Sequence, residues 1–220
     1  MPFEIKRRTL CKRVGVLLGP FVLLLAFAAD AQQPAPSAEP AVVEATEREL
    51  LNSERIERRF GSYGIDVLFS DARYRVSNLF SVHEGTRICR TFAVVAYPAR
   101  IDPSFQREHD EIVAGGSIGA VFAANGWTVT KRHLHFGELP ATPKVARLMS
   151  TDQGTPLAVH VYVLTVAKGG NSFDYATIAE VHHPDYLSSD DLPRIYGEPA
   201  NDSRSQIVGE ILAETAARMR

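Results

Sequence analysis

The chain has 220 residues, 24 Lys and Arg against 26 Asp and Glu, and a net charge of −2. The first 31 residues hold five of the basic and two of the acidic side chains, leaving 19 against 24 downstream. So acidic a balance gives no electrostatic footprint for nucleic acid or anionic lipid and excludes those partners on electrostatic grounds. Of the two cysteines, Cys89 alone lies beyond residue 31, so no intramolecular disulfide is expected there.

The N-terminus reads as an export signal. Lys6, Arg7, Arg8, Lys12 and Arg13 form a basic stretch, Val14 to Ala28 is apolar and uncharged, and Ala29-Asp30-Ala31 offers small residues for cleavage. The apolar run, about 15 residues, falls short of the roughly 20 that a membrane span needs. The expectation is a signal peptide over 1–31, a Pro/Ala-rich linker over 32–41, and one domain over 42–220. The product is periplasmic or secreted, with no stable membrane span after cleavage.

The domain opens on a helical pattern from Val42 to Phe60, where Ala45, Leu50, Leu51 and Ile56 recur at helical spacing before Gly61. Strand patterns follow over Tyr63 to Phe69, Tyr74 to Val82 and Arg87 to Tyr97, the last two joined by the turn His83-Glu84-Gly85-Thr86. Pro103 to Val113 reads as a helix with a charged, solvated face (Glu108, His109, Asp110, Glu111), and Ser117 can cap a short helix through Ala124. Trp127 to Phe136 is a strand on which alternation places Lys131, His133 and His135 on one face. Thr142-Pro143 opens a helix through Met149. Pro156 to Val166 and Phe173 to His182 form a hairpin across Lys168-Gly169-Gly170-Asn171. Ser203 to Met219 is an amphipathic helix. The expected class is α+β: a mostly antiparallel sheet with helices packed on one face.

This order of elements carries a resemblance. The helix Ser117-Ile118-Gly119-Ala120-Val121-Phe122, the strand after it, Ala146-Arg147-Leu148-Met149, Gly154-Thr155-Pro156-Leu157 and the closing hairpin resemble the chorismate lyase-like superfamily. That superfamily includes chorismate lyase and UTRA, the ligand-sensing domain of many bacterial transcription regulators. Ala179-Glu180-Val181-His182-His183-Pro184 is similar to the Glu-bearing last strand of chorismate lyase. Tyr74-Arg75 and Arg90-Thr91 resemble its strand arginine and its "R-T" strand, although Val76 stands where the family has an acid. The resemblance covers roughly residues 62–190. It implies a pocket in which Arg75, Arg90, Glu180 and His182 bind a small organic acid, without a cofactor.

Three functions follow from these residues. One is a small-molecule-binding or accessory domain. The second is a lyase-type enzyme acting on a small cyclic or aromatic acid, with Glu180 moving or orienting a proton and an arginine clamping the carboxylate. The third is a metal-binding protein using His133, His135 and His182. A protein partner docking on the helix of 42–60 or of 203–219 is a further expectation. Cys89 is expected to be a buried core thiol.

Overall fold

The computed structural model describes residues 50–200 and 206–220. The expected signal peptide, the expected linker and the helical pattern over 42–49 lie outside the described residues. Helix α1 runs over Asn52–Phe60, with the Glu54 carboxylate accepting the Leu51 N–H at 2.7 Å and left-handed Gly61 (φ 75°) closing it. Three strands follow, β1 (Gly64–Ser70), β2 (Tyr74–His83) and β3 (Thr86–Ala96). Glu84 and Gly85, both at positive φ, make the two-residue turn between the last two. A 3₁₀ turn over Pro103–Phe105 leads into α2 (Gln106–Val113), then α3 (Ile118–Ala124). Ser117 occupies the N-cap of α3 but its hydroxyl makes no capping bond. β4 (Thr128–Pro140) precedes α4 (Pro143–Met149), where Thr142 accepts the Val145 N–H and Pro143 starts the helix as expected. β5 (Pro156–Lys168) and β6 (Asn171–His182) form the second hairpin, through Gly169 and Gly170 at positive φ. Helices α5 (Asp191–Tyr196) and α6 (Gln206–Met219) end the chain.

The strands form one six-stranded sheet in the order β1-β2-β3-β6-β5-β4, every neighbouring pair antiparallel. The expected α+β class is what the chain forms. Side-chain alternation divides β5 cleanly: Tyr162 and Leu164 join one core, Val159, Val161 and Val163 the other. The first core is completed by Ile112, Val121 and Phe122 from α2 and α3, and beside it Ile56 of α1 packs with Leu192 and Ile195 of α5. The helices on this face are the layer anticipated from sequence. The opposite face is covered as well, by Val145, Ala146 and Met149 of α4 and by Val208, Ile211 and Met219 of α6. The near-continuous apolar run of β5 reflects this burial on both sides. Helix α1 buries Ile56, and α6 buries Val208, Ile211 and Met219 while leaving Ile207 exposed; the expected partner docking through these helices is without support. Cys89 is fully buried in the core under α4 and α6. Among the described residues no helix is long and apolar enough to cross a membrane.

Four interruptions of register matter. Each inserts one residue into a strand, so that side chains beyond it change faces. They fall at Leu68 in β1, Arg90 in β3, Leu134 in β4 and Tyr175 in β6.

Candidate functional site

On the face beneath α1 and α3 the middle of the sheet is polar. Register pairs His160 of β5 with Glu180 of β6, and Thr91 of β3 with His182 of β6. His160, Glu180 and His182 are each buried, at 0%, 4% and 0% exposure. A carboxylate so placed must be compensated, because burying an unpaired charge is far more costly than burying a neutral polar group.

One carboxylate oxygen is fully engaged. Glu180 Oε1 accepts from the Tyr162 hydroxyl at 3.0 Å and from Asn52 Nδ2 at 3.1 Å. Asn52 also donates to Thr91 Oγ1 at 3.2 Å and accepts from the Tyr186 hydroxyl through Oδ1. The second oxygen, Oε2, has no hydrogen-bond partner and faces His160 Nδ1 and His182 Nε2, each at 3.9 Å. Those two nitrogens are also buried without partners. Their opposite ring nitrogens are held: His160 Nε2 lies 2.8 Å from His133 Nδ1, and His182 Nδ1 lies 3.2 Å from Thr91 Oγ1. An unsatisfied buried polar atom costs about 1–3 kcal/mol, so three of them converging on one point is a feature to be explained.

Charge follows from burial. Desolvation holds His160 well below the ordinary imidazole value, with Lys131 and His133 acting in the same direction. Desolvation likewise lowers His182, to about 4, against an upward pull from Glu180. Burial pushes the Glu180 carboxyl up, but Lys131, His182 and the bonds from Tyr162 and Asn52 outweigh it and leave it below the ordinary value. Burial thus favours the uncharged form of both imidazoles, and the cation beside the carboxylate is Lys131, whose Nζ stands 4.0 Å from Oε2 and 4.5 Å from the Tyr162 ring centre.

Glu180, Tyr162 and Lys131 form part of the wall of a small cleft between the sheet, α1 and the start of α3, partly open to solvent. Arg75 lines the same cleft. Its guanidinium, 1% exposed as a residue, donates through Nη1 to the carbonyls of Ile112 (3.0 Å) and Gly116 (2.8 Å), at the end of α2. Nε and Nη2 are buried without a hydrogen-bond partner, and among the described residues no carboxylate lies within ion-pair distance of it.

The sequence-derived residues thus separate. Arg75 and Glu180 share the cleft, and His182 stands beside Glu180. Arg90 does not line it: as the inserted residue of β3 it donates through Nε to Ser81 at 2.9 Å and stacks on Phe60 at 3.8 Å. His133 and His135 do not share a face. Leu134 is inserted between them, and His135 pairs with Val161, whose side chain belongs to the α4–α6 core. His135 is thus turned away from His133, and among the described residues the side-chain nitrogen and oxygen atoms of His160, Glu180 and His182 all lie within 4.8 Å of one another. His183 lies past the end of β6, its Nδ1 accepting the Asp185 N–H at 2.9 Å. Nor is the 108–111 run wholly solvated: Glu108 is buried and accepts from Trp127 Nε1 at 3.2 Å, and His109 Nδ1 lies 2.9 Å from the Tyr175 hydroxyl.

No family model matches the chain, and no curated protein matches it. Among solved structures it is similar to the ligand-binding domain of a GntR-family transcriptional regulator from Bordetella bronchiseptica, with TM-score 0.38 and 13% identity over 56% of this chain and 87% of that one. It is also similar to a GntR-family regulator from Enterococcus faecalis (TM-score 0.33, 10% identity, 58% and 93% coverage). A third is the C-terminal domain of Yurk from Bacillus subtilis (0.33, 15%, 58% and 89%).

Proposed function

We propose that the chain is an exported domain that binds a small organic anion in the cleft lined by Arg75, Lys131 and Glu180. The observation that carries this is the charge balance of the cleft wall, two cations against one carboxylate. Arg75 has no carboxylate partner, and its Nε and Nη2 meet no acceptor in hydrogen-bond geometry, the Tyr97 hydroxyl being an electrostatic neighbour of the guanidinium. Guanidinium groups recognise carboxylates in a planar, two-point geometry, and a low-dielectric cleft strengthens the attraction. In this reading Glu180, its Oε1 held by Tyr162 and Asn52, orients a ligand hydroxyl. The export reading rests on the basic, apolar and small-residue order of residues 1–31.

Thermal melting of the purified protein against a panel of mono- and dicarboxylic acids tests the binding. The expected result is stabilisation by one carboxylate class but not by chloride at equal ionic strength, lost in Arg75→Met and in Lys131→Met. Stabilisation that survives both substitutions would overturn the reading, and so would none from any carboxylate. Export is tested by the intact mass of the protein recovered outside the cytoplasm, expected to begin at Gln32. A chain retaining Met1 inside the cell would refute it.

A further inference from the structure

The geometry points to a metal site on the same sheet face: His160 Nδ1, Glu180 Oε2 and His182 Nε2 together hold one divalent transition-metal ion of the zinc class. The argument begins with what surrounds the three atoms rather than with the atoms themselves. His160 is steadied by the His133 ring, 2.8 Å away and stacked at 4.9 Å between centres, and His182 by the Thr91 hydroxyl at 3.2 Å. When the outer nitrogens of His160 and His182 carry the protons of those contacts, the inner nitrogens present lone pairs. Glu180, its Oε1 occupied by two donors, presents the lone pairs of Oε2 to the same point. Three acceptors then face one another with no donor among them. That arrangement is repulsive unless a cation sits between them.

The donor set selects the ion. Two imidazole nitrogens and one carboxylate oxygen suit Zn²⁺ and its first-row neighbours, whereas Ca²⁺ and Mg²⁺ prefer all-oxygen cages. Zinc–nitrogen bonds of about 2.0–2.1 Å put tetrahedral donors roughly 3.4 Å apart. The two contacts of 3.9 Å to Glu180 therefore need to close by about half an ångström. Outer hydrogen bonds from each ligand to a fixed partner are the usual means of holding such a set in place. Here His133, Thr91, Tyr162 and Asn52 supply them. Lys131 is the opposing element: its ammonium, 4.0 Å from Oε2, repels a second cation.

The test uses Co²⁺, whose visible absorption reports nitrogen and oxygen ligation. The protein is stripped with a chelator and titrated with Co²⁺, then with Zn²⁺. Expected is a ligand-field band that saturates at one equivalent, is displaced by Zn²⁺ and is untouched by excess Ca²⁺ or Mg²⁺. His160→Gln and His182→Gln abolish it, and Thr91→Val weakens affinity by about 10–100-fold. Lys131→Met tightens it, while removing the anion response of the cleft, so the two readings fail separately. His135→Gln, on the other face, leaves it unchanged. The proposal is overturned if the stripped, folded wild-type protein yields no band, which would assign the cluster to bound water. Binding that persists in both His160→Gln and His182→Gln, or that is lost in His135→Gln, would overturn it equally.

Discussion

Acid should unfold this protein through its buried imidazoles, and the size of the effect follows from the site. His182 is fully buried, and desolvation lowers it from 6.5 to about 4 despite the pull of Glu180. Between those two values the unfolded chain binds a proton that the folded chain refuses. Stability therefore rises with pH across the window and is lost on acidification. Each pKa unit corresponds to about 1.4 kcal/mol, so the whole window is worth about 3 kcal/mol, of which about 2 is gone by roughly pH 5. His160 is lowered for the same reason and acts in the same direction. Glu180, held below 4.5, acts in the same sense but at lower pH: its stabilisation is present above that value and is lost only in stronger acid. The assay is urea unfolding in the presence of a chelator, repeated from about pH 7 to about pH 5, for the wild type and His182→Gln. The wild type should lose stability over the interval, and the variant should lose about 2 kcal/mol less. A flat wild-type profile, or equal slopes for the two proteins, would refute the argument that His182 is buried neutral.

Two other outcomes are expected. Phe105, 2% exposed, meets the rings of Phe122, Trp127, Phe173 and Tyr175 at centre distances of 5.5–6.0 Å. Phe105→Ala should cost about 3–5 kcal/mol in urea unfolding followed by Trp127 fluorescence; a loss under about 1 kcal/mol would mean that the 3₁₀ turn does not anchor this core. Cys89, fully buried with its thiol pushed up by burial, should resist a thiol-reactive dye in the native protein and react only once urea unfolds it. Rapid labelling of the native state would show that the α4–α6 face opens readily.

Much of the fold was legible because local chemistry announced it. Glu84-Gly85 and Gly169-Gly170 mark the two hairpins, and Thr142-Pro143 marks the start of α4. Arg75 and Glu180 were legible as members of one cleft. His160 was not, although a lone imidazole two residues before Tyr162 in an aliphatic strand was a usable signal. The reason is register. Counting back evenly from the pair Lys168 and Asn171 would set His160 opposite Ala179, with Glu180 on the other face; only the extra residue Tyr175 brings His160 opposite Glu180. The same arithmetic misplaced His135, because Leu134 is inserted before it. Arg90 drew notice for its neighbour Thr91, yet it is itself an inserted residue and Thr91 is the one that reaches the site. Even alternation can be read from a sequence, but a bulge is set by packing between strands distant along the chain.

The insertion at Leu68 has a different consequence. β1 is an outer strand, and Val67, Leu68 and Phe69 lie exposed along it at 37%, 42% and 36%. An unbroken outer strand with such side chains would be an adhesive edge, inviting the same strand of another chain to zip onto it. The extra residue breaks the even spacing of backbone donors midway, and the Arg87–Asp66 pair places charge a residue away. The irregularity that bends this margin of the sheet also keeps it from serving as a template for growth.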